Sequence, residues 1–233
     1  MEIKDKIVIV TGASGGIGAA TSTYLAREGA KLVLAALSEK KLTELEREIP
    51  GSLIVPTDVR KSEDVKNLIE KTIEKYGRVD ILINLAGQGM WAPVEKIDVE
   101  EYQKLFDLNV CGYLRAMQVV IPVMRAQRSG MIINVSSKLT TIHFPNEAGY
   151  ASTKYAVNDL TLTARQELEK DGIVVSLIRP KLVQTDFGKH SVVPEPDALR
   201  DENNPNHPPM DMPETVALKI GELIRSGDAE LDL

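Results

Sequence analysis

A short apolar run, KIVIVT (Lys6 to Thr11), passes without a linker into TGASGGIG (Thr11 to Gly18), and from there into a helical period that lasts to Arg27. This strand, glycine loop and helix in direct succession constrain the fold more than any other feature. A strand that is apolar and β-branched throughout has to be covered on both faces. The pattern then repeats. KLVLAAL (Lys31 to Leu37) precedes the charged amphipathic SEKKLTELEREI, and SLIVPTDV precedes SEDVKNLIEKTIEKYG, where Ser62 is the predicted cap. VDILINLAG, GMIINVSS and IVVSLIRP are the further strands, separated by Val99 to Gln127 and by a long helix from Gly149 to Lys170. Strict alternation of strand and helix predicts βαβ units, hence an α/β fold with a doubly wound parallel sheet and helices on both faces.

One stretch breaks the pattern. Phe187 to Met212 is dense in proline, aspartate and asparagine, and is predicted to be a loop over residues 187–212. A short helix (Pro213 to Arg225) and an edge strand in AELDL close the chain. No linker divides the 233 residues, so a single domain over 1–233 is expected.

Composition narrows the partners. A net charge of -6 argues against nucleic acid, which needs a concentrated basic patch. Cys111 is the sole cysteine, so an internal disulfide is excluded; it is expected to be a small core residue. The start carries charges where a signal peptide needs an apolar stretch, and no run is long enough to span a bilayer. The expectation is a cytoplasmic protein with no membrane partner. His143, His190 and His207 lack metal-ligand spacing, so no metal site is expected.

The chemistry is expected at the carboxyl ends of the strands, where parallel sheets bind ligands. Glycines after the first strand let the backbone approach a pyrophosphate, and the next helix offers free N–H groups and the positive end of its dipole. The spacing is Gly-x-x-x-Gly-x-Gly (Gly12, Gly16, Gly18), preceded by Thr11. With it come DV (Asp58, Val59), NLAG (Asn84 to Gly87), LNV around Asn109, NVSS ending in Ser137, and YASTK (Tyr150 to Lys154), thirteen residues after Ser137. RPKLVQT (Arg179 to Thr185) follows. These motifs, in this order over nearly the whole chain, resemble the short-chain dehydrogenase/reductase family.

The resemblance implies a Rossmann fold and an NAD(P)-dependent oxidoreductase acting on a carbonyl or secondary alcohol, such as a 3-oxoacyl thioester or a small ketone. It implies Asn109, Ser137, Tyr150 and Lys154 as the catalytic set. For the cofactor it implies Gly12, Ser14, Gly16, Ile17, Gly18, Leu37, Asp58, Val59, Asn84, Ala86, Gly87 and Thr185, with Tyr150 and Lys154 again. Tyr150 would be the acid–base group. A free tyrosine has a pKa of about 10; an ammonium one helical turn away, at Lys154, together with the positive charge of oxidised nicotinamide, is expected to lower it. Ser137 would hydrogen-bond the substrate oxygen, and Asn109 would steady a relay water. The family also implies a homodimer or homotetramer, built largely on the helix that carries Tyr150 and the one before it.

Five positions depart from the pattern. Ala36 stands where NAD enzymes have an acidic residue, yet Leu37 and Gly15 stand where NADP enzymes supply a basic one. The electrostatic lean is to NADP(H) over NAD(H), with Ser38, Lys40 or Lys41 as substitutes for the missing base. Leu85 replaces an asparagine and Lys181 a glycine; Lys181 is a candidate partner for an anionic substrate. Met90 and Trp91 could line the substrate site, pack in the core or form an interface. Two other readings compete: a non-catalytic dinucleotide-binding regulator that kept the fold, and a sugar-nucleotide epimerase or dehydratase.

Overall fold

The computed structural model describes residues 1–193 and 209–233. Its centre is a sheet of seven parallel strands: β1 (Ile7–Thr11), β2 (Lys31–Ala36), β3 (Leu53–Pro56), β4 (Ile81–Asn84), β5 (Gly130–Val135), β6 (Ile173–Arg179) and β7 (Glu230–Asp232). Their order is β3-β2-β1-β4-β5-β6-β7. The direction of winding reverses between β1 and β4, and a crevice opens there at the carboxyl ends of the strands. Register places Thr11 beside Asn84, and Asn84 beside Asn134.

The period-2 alternation within each strand feeds two cores. Val8 and Val10 of β1 point to a cluster with Leu25 of α1 (Gly16–Arg27), Leu42 of α2 (Glu39–Glu48) and Ile220 of α7 (Pro213–Ser226). Ile7 and Ile9 point the other way, to Leu68 of α3 (Ser62–Tyr76), Val120 of α5 (Gly112–Gln127) and Ala164 of α6 (Ala148–Leu168). Each half of a strand thus finds a different helical layer, as a sheet buried on both faces requires. Loops that leave the carboxyl edge are held between rigid layers.

Several boundaries differ from the expectation. Ser62 does not cap α3. Lys61 is the flanking residue, and the Asp64 carboxylate reaches back to the backbone N–H of Asp58 (3.0 Å). The long stretch from Val99 to Gln127 consists of α4 (Val99–Phe106), a π-helical segment (Asp107–Cys111) and α5. Cys111, the last π residue, is only partly buried and does not join the core. AELDL does form an edge strand, pinned by Arg179 on Glu230 and Asp232 and by Lys138 on Asp232 (2.9 Å). Of the predicted loop, Val193 bridges Met90 and Asp211 bridges Val183, while residues 194–208, His207 included, lie outside the described residues.

Candidate active site

The glycine loop follows from its backbone. Gly12 adopts φ +72°, and a Cβ there would lie 2.8 Å from the backbone nitrogen of Ala86. A glycine meets both demands at once. The loop is thereby pressed on the NLAG segment, and Thr11 Oγ1 accepts the N–H groups of Leu85 (3.1 Å) and Ala86 (3.4 Å). No side chain caps α1, and its first turn carries no acidic residue. An uncapped, uncharged helix start behind close-packed glycines fits the pyrophosphate of a dinucleotide.

Two further contacts tie the remaining motifs to this loop. A Cβ on Gly16 would meet the Thr185 side chain at 3.1 Å. One on Gly87 would meet Asn109 Oδ1 at 3.0 Å and Lys154 Nζ at 3.9 Å. So Gly12, Gly16, Ala86, Gly87, Asn109, Lys154 and Thr185, spread over most of the sequence, converge on one crevice. Ser14 and Ile17 lie on the same loop, partly buried, and Gly18 is buried.

Asn109 is buried and fully engaged. Its amide accepts the N–H of Gln88 (2.9 Å) and donates to the Gln88 carbonyl (2.9 Å) and to Thr153 Oγ1 (3.1 Å). It clamps the segment after β4 to α6. Although Leu85 is apolar, the strands stay linked by polar groups: Asn84 donates to Asn134 (2.9 Å), which donates to Thr161 Oγ1 (2.9 Å), a buried chain from β4 through β5 to α6.

Ser136 bonds the carbonyl of Lys154 (3.3 Å) and Asn158 (2.5 Å), seating α6 against the end of β5. Ser137 Oγ accepts the N–H of Leu139 (3.2 Å), and its hydroxyl is near enough to the Tyr150 phenol to pull its pKa down. Lys154 is buried, with Nζ 2.9 Å from the Val135 carbonyl oxygen and 5.9 Å from the Tyr150 ring centroid. Phe187 packs edge-on against Tyr150.

The electrostatics correct one expectation. Burial pushes the Tyr150 phenol above the ordinary tyrosine range, and the charge of Glu147 adds to this; only the Ser137 hydrogen bond pulls it down. Burial also lowers the Lys154 ammonium to about 7. Desolvation of both groups outweighs the expected pull of Lys154 on Tyr150.

Other expected residues sit less centrally. Leu37 is exposed, and the Ser38 hydroxyl caps α2 by accepting the N–H of Lys41 (3.4 Å). The Asp58 carboxylate is held by Arg60 (2.7 and 2.8 Å), which lowers its pKa. The Val59 side chain is core, packed on Gly112. Met90 is buried against Gly149, and Lys181 is exposed. Sequence reasoning missed Tyr113, whose hydroxyl lies 3.4 Å from Lys154 Nζ, and Phe187 on Tyr150.

The profile of the family described as "short chain dehydrogenase" matches residues 6–195. The chain belongs to the short-chain dehydrogenase family. An uncharacterized oxidoreductase of Listeria innocua is 40% identical over 193 residues, 80% of this chain and 78% of the relative. A short chain dehydrogenase of Bacillus anthracis superposes with a TM-score of 0.87 at 28% identity, covering 99% of this chain and 96% of that one. An NAD+-bound xylitol dehydrogenase superposes at 0.88 and 25% identity, over 100% and 99% of the two chains. This short-chain dehydrogenase is an NAD(P)-dependent oxidoreductase with a Rossmann fold. Among its described residues no group of histidines, cysteines and carboxylates could hold a metal, and no helix is long and apolar enough to cross a membrane.

Proposed function

We propose that the protein is a reductase of ketones or 3-oxoacyl thioesters, with Tyr150 as the proton donor and NADP(H) preferred over NAD(H). One observation carries the reading: Tyr150, which Ser137 influences, stands one helical turn from buried Lys154, whose Nζ lies beside the Gly87 segment. The nicotinamide supplies the hydride. The Ser137 hydroxyl is placed to hydrogen-bond a carbonyl oxygen as negative charge develops on it. Tyr150 then delivers its proton to that oxygen. A phenol whose pKa is raised holds this proton at neutral pH until the substrate oxygen takes it. Lys154 would hold the nicotinamide ribose, and Asn109 would fix the wall beside it. Gly12, Ser14, Gly16, Ile17 and Gly18 would cradle the pyrophosphate, and Asp58 and Val59 would border the adenine, with Asn84, Ala86 and Thr185 nearer the nicotinamide.

The NADP(H) preference rests on charge. β2 ends at Ala36 with no carboxylate to repel a 2′-phosphate, and Lys40 and Lys41 are exposed on the first turn of α2. We read residues 1–233 as one cofactor-binding domain that works as a homodimer or homotetramer in the cytoplasm.

Fluorescence titration with NADPH and with NADH, followed by turnover of a ketone and acyl-thioester panel, tests the reading. Tighter NADPH binding with reduction of a panel member is the expected result. Tighter NADH binding with polyol oxidation alone would overturn it.

A further inference from the structure

We infer that Tyr113 is a positioning residue for Lys154: its hydroxyl and the Val135 carbonyl together hold the ammonium on the protein side of the site. Tyr113 lies in the first turn of α5 and is buried, its ring packed with Val110, Val157 and Leu177. Its hydroxyl donates to the Val135 carbonyl oxygen at 3.2 Å and accepts from Lys154 Nζ at 3.4 Å. Nζ donates to the same carbonyl at 2.9 Å, which closes a triangle of three polar atoms. The ammonium lies 4.9 Å from the Tyr113 ring centroid, nearer than to the ring of Tyr150 at 5.9 Å. Ring and hydroxyl therefore both act on the cation, one through its π face and one through a lone pair.

A hydroxyl is not needed to fill this space, because phenylalanine has the same ring. What it adds is an acceptor for a buried cation. No carboxylate among the described residues pairs with Lys154. The titratable groups around it are Tyr113 from α5 and Tyr150 from its own helix, with Glu147 acting on Tyr150. A buried ammonium with so few oxygen partners depends on each of them. An acceptor favours the charged form, so its removal must shift Lys154 towards the neutral amine.

The inference rests on the role given to Lys154 above, and a direct titration separates the two. Cofactor-free protein labelled with 13C at lysine Cε would be titrated by NMR, with the Lys154 signal assigned by its loss in Lys154→Met. Tyr113→Phe is expected to move the midpoint about one unit lower, and Tyr113→Leu further. With cofactor and ketone, Tyr113→Phe should lose about fivefold in rate at pH 7 and only about twofold at pH 6, because acid restores the ammonium. A purely structural role would not produce this recovery. An unmoved midpoint with a superimposable pH profile overturns the inference. Full turnover in Lys154→Met would instead overturn the role of Lys154. Should the variants fail to fold, 13Cζ-tyrosine labelling of the unaltered protein reads the same contact: the Tyr113 signal must respond as Lys154 titrates, and a flat signal overturns the inference.

Discussion

The ring of Phe187 stands edge-on to that of Tyr150, with centroids 5.6 Å apart and planes at 62°. The segment that carries Phe187 is laced to the stretch after β4: Val192 N–H donates to the Gly89 carbonyl (2.9 Å) and Trp91 N–H to the Val193 carbonyl (2.8 Å). The ring of Phe187 is thereby held against that of Tyr150. Phe187→Ala is expected to re-expose Tyr150 and bring its raised pKa down towards the ordinary value of about 10. The alkaline limb of the reductive rate should move to lower pH, with a higher KM for apolar ketones. Rates measured from pH 7 to about 11 check this, the variant alone falling off near pH 10; identical profiles would place Phe187 away from the reacting phenol.

Tyr150→Phe keeps the ring and removes the only proton it can give. Turnover should fall by about 10²–10⁴-fold, the range for loss of a general acid, while NADPH affinity stays within about twofold by fluorescence titration. Turnover near the wild-type rate would remove Tyr150 from the acid–base role.

Lys154 makes stability depend on pH in a known direction. Its folded pKa is lowered from 10.5 to about 7. Between those values the unfolded chain binds the proton and the folded chain does not. Stability therefore rises with pH from about 7 upwards, by up to ~1.36 kcal/mol per unit. This contribution is lost as pH falls through 7. Lys154→Met does not titrate, so its stability difference from wild type should widen steadily in favour of wild type between pH 7.5 and 9.5. Urea unfolding of both proteins across that window measures it, and a constant difference would contradict it.

Two glycines of one loop predict opposite outcomes. Nothing lies within 4 Å of a Cβ on Gly15, whose φ of 174° any residue adopts. Gly15→Arg should fold normally and raise the NADPH-to-NADH affinity ratio about tenfold, through a charge near the 2′-phosphate. Gly12→Ala meets the backbone of Leu85 and Ala86 at a positive φ, and should cost about 1–3 kcal/mol and weaken both cofactors. Melting curves and paired titrations distinguish the two.

The sheet was legible because its strands are apolar on both faces and its helices are not; period alone fixed β1 to β6. The site was legible where a motif is local: the glycine loop, Ser137 and the Tyr150–Lys154 turn. Tyr113 was not, because its contacts join residues 22 and 41 positions away and nothing local distinguishes its hydroxyl from a phenylalanine edge. The burial that raises the Tyr150 pKa in the protein alone was missed for a related reason. Sequence shows a neighbouring charge, whereas burial comes from distant elements such as the segment of Phe187. Asn109 was found as a motif, but its hold on Gln88 and Thr153 needed three segments in place.

The π-helical segment Asp107–Cys111 is in effect one residue too many in a helix. An extra residue turns everything after it by about 100° relative to an unbroken α-helix. The polypeptide before it and the polypeptide after it therefore keep separate phases, like two cogs on one shaft. Shortening the chain by a single residue anywhere in this segment would leave the composition almost untouched and still swing Tyr113 and the apolar stripe of α5 out of alignment with Asn109. Here length is under tighter constraint than residue identity, so a deletion would do more harm than most substitutions.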